Sequence, residues 1–399
     1  MKFTLFCENC QKIFQPESGY YVCPTCNGRL KIIYKNYNKF GENHSKIFSG
    51  MWKYRNHLPI EKESFISLGE GSTPLVNVSN YFFDVNLWIK NETINPTGTY
   101  KDRPASVGIT RAKELNAKGI VVASDGNTGP AVAAYSARAN LPCIALMPKS
   151  TPSCRYTQAA SFGAKIFLID GSVNDCIDLS NKITKINGYH NCTTASTINP
   201  YQIEANKTIS YEIVEKLEYS PEWVAVPIGG GGLLVGIMRG FQELYKYKKI
   251  TNIPRILAVQ AEKCSPFVCA YENNRQIMKW EGSFETIAFT VAVPYPLDGD
   301  IGIELLKQNN GHAIVIEEKE ILESVKKIAQ NIGILAEPAG GISFAGLLKA
   351  YQKGIIKKGE SCVAVITGTG LKSIDVFNKL QKMIYSFPND VGQILDFLN

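Results

Sequence analysis

Beyond Gly119, short apolar and β-branched runs alternate with longer segments whose apolar positions recur every three to four residues. A switch of period from two to 3.6 predicts strands and helices in turn. Residues 120–123 read as a strand, 129–140 as an alanine-rich helix and 143–147 as the next strand. Residues 153–162 follow as a helix, 165–169 as a strand and 173–186 as a helix. A second series has strands at 223–228, 256–260, 313–316 and 362–367, and helices from about 233, at 319–333 and at 341–353. Repeated βαβ units imply parallel sheets wrapped by helices. The expected fold class is therefore α/β, with two doubly wound domains and a cleft between them. A length of 399 residues suits two such cores plus a small appendage. There is no internal repeat and no low-complexity segment.

Composition narrows the partners. Hydrophobic residues make up 45% and charged residues 20%, an ordinary balance for a folded soluble domain. The net charge of +7 is mild, and no basic run interleaved with aromatics marks a nucleic-acid surface. No run is long enough to span a membrane, and the first residues meet charge and cysteine before a signal-peptide core can form. The expected location is the cytoplasm. Seven of the eleven cysteines, from Cys143 to Cys362, lie scattered through the regular segments and read as small buried hydrophobes.

The other four are paired. Cys7 and Cys10 form one C-x-x-C, Cys23 and Cys26 a second, and twelve residues separate them. Two such turns can direct four thiolates at one tetrahedral zinc, with Pro24 and Gly28 favouring the second knuckle. Two disulfides, or reactive thiols, are the alternative. A closed four-thiolate site leaves no open position for catalysis, so the metal would be structural. A nucleic-acid-binding ribbon is the rival function, but Lys12, Arg29 and Lys31 form no basic stripe.

Four elements carry candidate chemistry. Lys101 follows Asn95-Pro96-Thr97-Gly98-Thr99-Tyr100, a small-residue turn that lets an amine approach a planar carbonyl compound and form a Schiff base. Alone, it is also an ordinary turn before a helix. Gly229, Gly230, Gly231 and Gly232, then Leu233, join a strand to a helix and expose bare N–H groups at the positive end of the helix dipole, a phosphate cradle or else a flexible turn. Ser124, Asp125, Gly126, Asn127 and Thr128 end the first clear strand, where open α/β sheets bind ligands. That loop suits a substrate carboxylate, with the Asn127 amide free for a ring oxygen, or it is an N-capping turn. Thr367, in Thr367-Gly368-Thr369-Gly370, offers a ring nitrogen a neutral hydrogen bond. An amine, a phosphate cradle, an amide and a hydroxyl together suit pyridoxal 5'-phosphate.

With these motifs in this order, the chain from about Leu68 to Lys372 resembles the threonine synthase branch of the tryptophan-synthase-like, fold type II pyridoxal-phosphate enzymes. Ser196-Thr197-Ile198-Asn199-Pro200-Tyr201-Gln202 and Glu337-Pro338-Ala339-Gly340 resemble further segments of that branch, in which an N-terminal four-cysteine ribbon also occurs. The expected organisation is a zinc ribbon at 1–32, a connector at 33–60, rich in Lys, Asn and Tyr and with room for one short helix, a large cofactor-binding domain at 61–109 with 199–399, and a small α/β domain at 110–198. The resemblance implies a homodimer and a lyase of amino-acid biosynthesis. Lys101 would form the aldimine and move protons, Asn127 contact the ring oxygen, Gly229 to Leu233 the phosphate and Thr367 the ring nitrogen. Ser124, Asp125, Gly126 and Thr128 would hold the substrate. The reaction implied is O-phosphohomoserine plus water to L-threonine plus phosphate. The G-G-G-G-L loop is more similar to that of serine and threonine dehydratases, and Asp125 adds negative charge that Arg155 or Lys149 would have to offset. A serine or threonine ammonia-lyase, and a β-replacement enzyme such as a cysteate synthase or a diaminopropionate-type enzyme, are the alternatives carried forward.

Overall fold

The computed structural model describes residues 2–35, 48–79, 84–282, 284–380 and 384–398. Within it, β1 (Phe3–Cys7), β2 (Ile13–Phe14) and β3 (Leu30–Tyr34) make an antiparallel sheet in the order β2-β1-β3. Of the expected connector, residues 36–47 lie outside the described residues. Residues Gly50–His57 form a 3₁₀ helix, and β3 continues to Tyr34 because Leu30, Ile32 and Tyr34 alternate inward against β1.

Next come β4 (Leu75–Asn77), β5 (Asn86–Asn91) and α1 (Asp102–Glu114). The chain then builds β6 (Ile120–Ala123), α2 (Thr128–Arg138), β7 (Cys143–Pro148), α3 (Ser153–Ser161), β8 (Lys165–Ile169), α4 (Val173–Asn187) and β9 (His190–Asn191). Those four strands form a parallel sheet in the order β8-β7-β6-β9. After α5 (Lys207–Leu217), β10 (Trp223–Pro227), α6 (Gly232–Lys246), β11 (Arg255–Ala261), α7 (Pro266–Glu272), α8 (Gly299–Gln308) and β12 (His312–Ile316) follow. The last elements are α9 (Glu318–Ile332), α10 (Pro338–Gln352), β13 (Ser361–Ile366), α11 (Ile374–Leu380) and α12 (Val391–Leu398). The larger sheet runs β12-β11-β10-β13-β5-β4, parallel except for β4 on the edge.

The central strands of the two larger sheets are covered on both faces, which is why they read as continuous apolar runs. Val224, Val226, Val363 and Val365 face a core built with α5 and α6, while Trp223, Ala225, Cys362 and Ala364 face α9 and α10. In the smaller sheet Ile120 and Val122 pack against α1 and α2, and Val121 and Ala123 against α4. The α/β expectation with two three-layer units therefore holds. β5 and α5 have no counterpart in the sequence reading. Lys90 interrupts the apolar run of β5, and α5 mixes Lys207, Glu212 and Lys216 with β-branched residues.

Lys90 and Glu212 are buried in an ion-pair lattice. Arg103 is fully buried and donates from Nε and Nη2 to Glu92 at 2.8 Å each, and from Nη1 and Nη2 to Glu212 at 2.7 and 2.8 Å. Lys90 Nζ donates to Glu212 Oε2 at 2.6 Å and to the Thr73 carbonyl at 2.7 Å. Burial opposes ionisation of Glu92 and Glu212, but the Arg103 guanidinium outweighs it, with Lys90 adding, and holds both below the usual carboxylate range. The lattice ties β5, the start of α1 and α5 together two residues beyond Lys101.

Removing one partner of a buried ion pair strands the other charge. Arg103→Met is therefore expected to lower the unfolding free energy in urea by about 3–5 kcal/mol, with Glu212→Gln added in the same chain recovering part of the loss. A change below about 1 kcal/mol, the scale of exposed pairs, would remove the lattice from the account. Because both folded-state values are depressed, the stability these carboxylates contribute is complete above the usual carboxylate range and is lost as the pH falls through and below it.

Candidate active site

The turn before α1 is fixed at both ends. Asp102 accepts hydrogen bonds from Thr97 N at 2.8 Å and Thr97 Oγ1 at 2.7 Å. Gly98 has φ +80°, and a Cβ there would lie 2.6 Å from Thr369 Cγ2, so the position accepts only glycine without strain. Tyr100 N and Thr99 Oγ1 each donate to the Thr367 carbonyl at 3.0 Å, which binds the turn to the C-terminal end of β13. Lys101 is thereby held at the mouth between the sheets, half-buried, with Nζ donating to Thr194 Oγ1 at 2.8 Å. Thr194 Oγ1 in turn lies 3.2 Å from Thr128 Oγ1.

The glycine run forms the turn from β10 into α6. Gly231 has φ +94°, and a Cβ on it would lie 2.8 Å from the Asp298 carbonyl carbon. A Cβ on Gly230 would meet nothing within 4 Å, so this side of the loop is open. The first N–H groups of α6 have no intrahelical acceptor and carry the positive end of the dipole.

On the other wall, Ser124 Oγ accepts from Gly126 N at 3.1 Å and shapes the loop ahead of α2. Asn127 Nδ2 donates to Glu337 Oε1 at 2.8 Å, which leaves its second N–H, while Asn127 Oδ1 is buried without a partner. A Cβ on Gly368 would fall 2.4 Å from Glu337 Oε1, so glycine there keeps room for that carboxylate.

These pieces converge on a cavity of about 150 Å³ between the two larger sheets. Lys101, the loop residues Ser124 to Thr128, the four glycines with Leu233, and Thr367 all line it. Glu337, Thr194, Asn206 and Asp298 line it as well and were not singled out as site residues by the sequence. Among the described lining residues Lys101 is the cation, against the carboxylates of Asp125, Asp298 and Glu337. Burial pushes the Asp125 carboxyl above its ordinary value, and Arg155 and Lys101 pull it partly back. Of the two cations expected to offset Asp125, Arg155 does so in part, with its Nε buried and unpartnered among the described residues. Lys149 pairs with Asp170 at 2.9 Å on the surface, and Arg155 lies 3.6 Å from Glu337 Oε2.

A second cluster sits in the small N-terminal sheet. The sulfurs of Cys7, Cys10, Cys23 and Cys26 lie within 4.8 Å of one another, with Cys7 to Cys26 and Cys10 to Cys23 at 3.5 Å. That is far beyond a disulfide bond of about 2.05 Å, and all four are free thiols. The sheet reaches the cleft wall, because Arg29 Nη2 donates to the Leu297 carbonyl at 3.5 Å.

A lysine amine, an open glycine cradle at a helix N-terminus and a hydroxyl at a strand end, gathered between two parallel sheets, define the class of fold type II pyridoxal-phosphate enzymes. The profile of the family described as Pyridoxal-phosphate dependent enzyme matches residues 66–368. The threonine synthase of Methanocaldococcus jannaschii is 35% identical over 381 residues, which is 92% of this chain and 93% of that protein. That of Methanosarcina acetivorans is 32% identical over 379 residues, 93% and 92% of the two chains. In fold, the structure is similar to a fungal L-serine ammonia-lyase from Rhizomucor miehei, with a TM-score of 0.67 at 20% identity over 79% of this chain and 99% of the other. The chain belongs to the pyridoxal-phosphate dependent enzyme family, and within it to the threonine synthases.

Gly231→Ala places a Cβ at positive φ against backbone that cannot move aside, so the cradle must shift. The variant is expected to bind pyridoxal 5'-phosphate at least about tenfold more weakly in fluorescence titration, the factor that about 1.4 kcal/mol makes. Wild-type affinity in this variant would show that the loop does not form the phosphate site.

Proposed function

We propose that this enzyme converts O-phosphohomoserine and water to L-threonine and phosphate, with Lys101 as the residue that moves protons. The placing of Lys101 Nζ on Thr194 Oγ1, inside the cavity that also receives the glycine loop and Thr367, carries this reading. Lys101, Asn127, Gly229, Gly230, Gly231, Gly232, Leu233 and Thr367 would hold pyridoxal 5'-phosphate. When bound, that group supplies an electron sink for charge developing on the substrate carbons. The Thr367 hydroxyl would give the ring nitrogen a neutral partner, a setting suited to elimination and addition along the side chain.

The chain's own residues do the rest. The backbone N–H groups of Asn127 and Thr128, at the start of α2, bind the substrate carboxylate together with the Thr128 hydroxyl, those of Ser124 and Gly126 being taken by the Leu146 carbonyl and Ser124 Oγ. Lys101 Nζ, kept in line by Thr194, takes the proton from Cα and returns protons along the side chain. Phosphate leaves Cγ with its electron pair, and water then adds hydroxyl at Cβ. The ion pair of Arg155 with Glu337 lies behind Asn127 and keeps its amide oriented.

Purified protein supplied with O-phospho-L-homoserine should release threonine and phosphate in equal amounts. Lys101→Ala should lower that rate by about 10²–10⁴-fold or more, the scale of a lost acid–base group, and remove the visible absorbance of the bound cofactor. Formation of 2-oxobutyrate from L-threonine, with no phosphate released from O-phospho-L-homoserine, would instead favour the ammonia-lyase reading.

For the four cysteines we propose one structural zinc. Sulfurs about 2.3 Å from a tetrahedral zinc stand nearly 3.8 Å apart, close to the spacing of the cluster, and Cys10 N points at Cys7 Sγ from 3.5 Å as a knuckle requires. Metal analysis should find one zinc per chain, and Cys26→Ser should lower both zinc content and the melting temperature. A chain that holds two disulfides and no metal would overturn the assignment.

A further inference from the structure

Lys101 faces two hydroxyls whose hydrogens run in one direction. Its Nζ donates to Thr194 Oγ1 at 2.8 Å, and Thr194 Oγ1 lies 3.2 Å from Thr128 Oγ1. Because the Thr194 oxygen accepts from the amine, its own hydrogen is free to point to Thr128, whose hydrogen is left in turn for the substrate carboxylate. One lone pair of Thr194 Oγ1 remains for a further donor. The backbone holds that hydroxyl in place. Thr193 N donates to Asn191 Oδ1 at 3.0 Å, Thr193 Oγ1 accepts from Ala123 N at 3.0 Å, and Ala195 N donates to the Thr193 carbonyl at 3.1 Å. Thr193, Thr194 and Ala195 all line the cavity. With the Thr193 hydroxyl taken by β6 and Ala195 apolar, the half-buried Thr194 hydroxyl is the polar side-chain group that these three offer to a ligand.

Once phosphate has left, two outcomes share every earlier step. Either water adds at Cβ and threonine forms, or the carbon skeleton is released without that addition and hydrolysis yields 2-oxobutyrate and ammonia. What separates them is whether a water molecule stands against Cβ beside a base. We propose that Thr194 is the positioning residue that holds this water, its Oγ1 accepting one hydrogen while Lys101 Nζ takes the other, so that Thr194 sets the partition between addition and deamination. The proposal rests on Lys101 as the proton-moving group of the reading above, and it leaves the glycine loop, Thr367 and the carboxylate site as assigned there. The water oxygen forms the new bond to Cβ with its own electron pair, and the proton it sheds passes through Nζ to Cα. In the other outcome water adds to the carbon that bears nitrogen, and ammonia departs. Neither route consumes an oxidant or a reductant.

The test follows the addition step by itself, in reverse. Holoenzyme incubated with L-threonine in water enriched in heavy oxygen should exchange the threonine hydroxyl oxygen with solvent, read by mass spectrometry beside any 2-oxobutyrate formed. In Thr194→Val, which keeps the shape and removes the hydroxyl, the ratio of exchange to deamination should fall about fivefold or more, the effect of one lost hydrogen bond. The visible absorbance of the cofactor should stay as in the wild type. Thr194→Ser keeps the hydroxyl and should keep the ratio. No exchange by the wild type, an unchanged ratio in Thr194→Val, or an equal loss in Thr194→Ser would overturn the proposal. Should the valine variant not load cofactor, Thr194→Ala is read in its place by the same ratio. Exchange needs no phosphate, so the two claims fail separately. Threonine and phosphate formed from O-phospho-L-homoserine by the wild type, with an exchange ratio indifferent to Thr194, defeat only this inference. Exchange that depends on Thr194, without phosphate release by the wild type, defeats only the threonine synthase reading.

Discussion

Everything at the cleft depends on burying Arg103 completely and surrounding it with two carboxylates. Glu92 comes from the segment that follows β5, Glu212 from α5 and Arg103 from the first turn of α1, so one guanidinium ties the larger sheet to the helix that leads into the smaller one. Burial of so many charges is not the strongest way to stabilise a core, since an apolar cluster of equal volume is often as good. Its value here is register. Lys101 lies two residues before Arg103 and one before Asp102, whose carboxylate closes the Thr97 turn, so the amine has little freedom of position. A catalytic group gains from such restraint because misplacement by about 1 Å can cost 10²-fold in rate.

The cradle and the lysine turn were legible in the sequence because each depends on backbone conformations that glycine alone takes easily. Gly98 and Gly231 at positive φ are such positions, and their neighbours in sequence are also their neighbours in function. β6, β7, β10, β11 and β13 were legible for a related reason, since burial on two faces leaves an unbroken apolar run. Lys90 hid β5, and Lys207 with Glu212 hid α5, because a buried charge looks like a surface residue until its partner is known. Thr194, Asn206 and Asp298 were missed as site residues for want of any local signal, and Glu337 was seen only as part of the Glu337-Pro338-Ala339-Gly340 segment. Asp298 follows an irregular stretch, and only tertiary folding brings it against Gly231 and Gly232.

The N-terminal sheet is more than an appendage. Tyr21 Oη lies 2.8 Å from His190 Nδ1, Tyr34 Oη donates to Glu204 at 3.1 Å, and Phe3 packs edge-on against Tyr201. These contacts reach β9 and the segment that carries Ser196, Asn199 and Gln202, and Arg29 reaches the loop ahead of Asp298. The N-terminal sheet is thus packed continuously against one wall of the cleft. The knuckle that turns at Cys23 and Cys26 also places Arg29, through Cys23 N on the Gly28 carbonyl and the Val22–Arg29 bridge.

The central claim is that Lys101, among all 399 residues, is where the cofactor attaches. Reduction of the holoenzyme with borohydride fixes the cofactor to whichever amine holds it, and mass spectrometry of the digested protein then locates it. The account predicts a phosphopyridoxyl group on the peptide containing Lys101. A group found on another lysine, or on none, would contradict it.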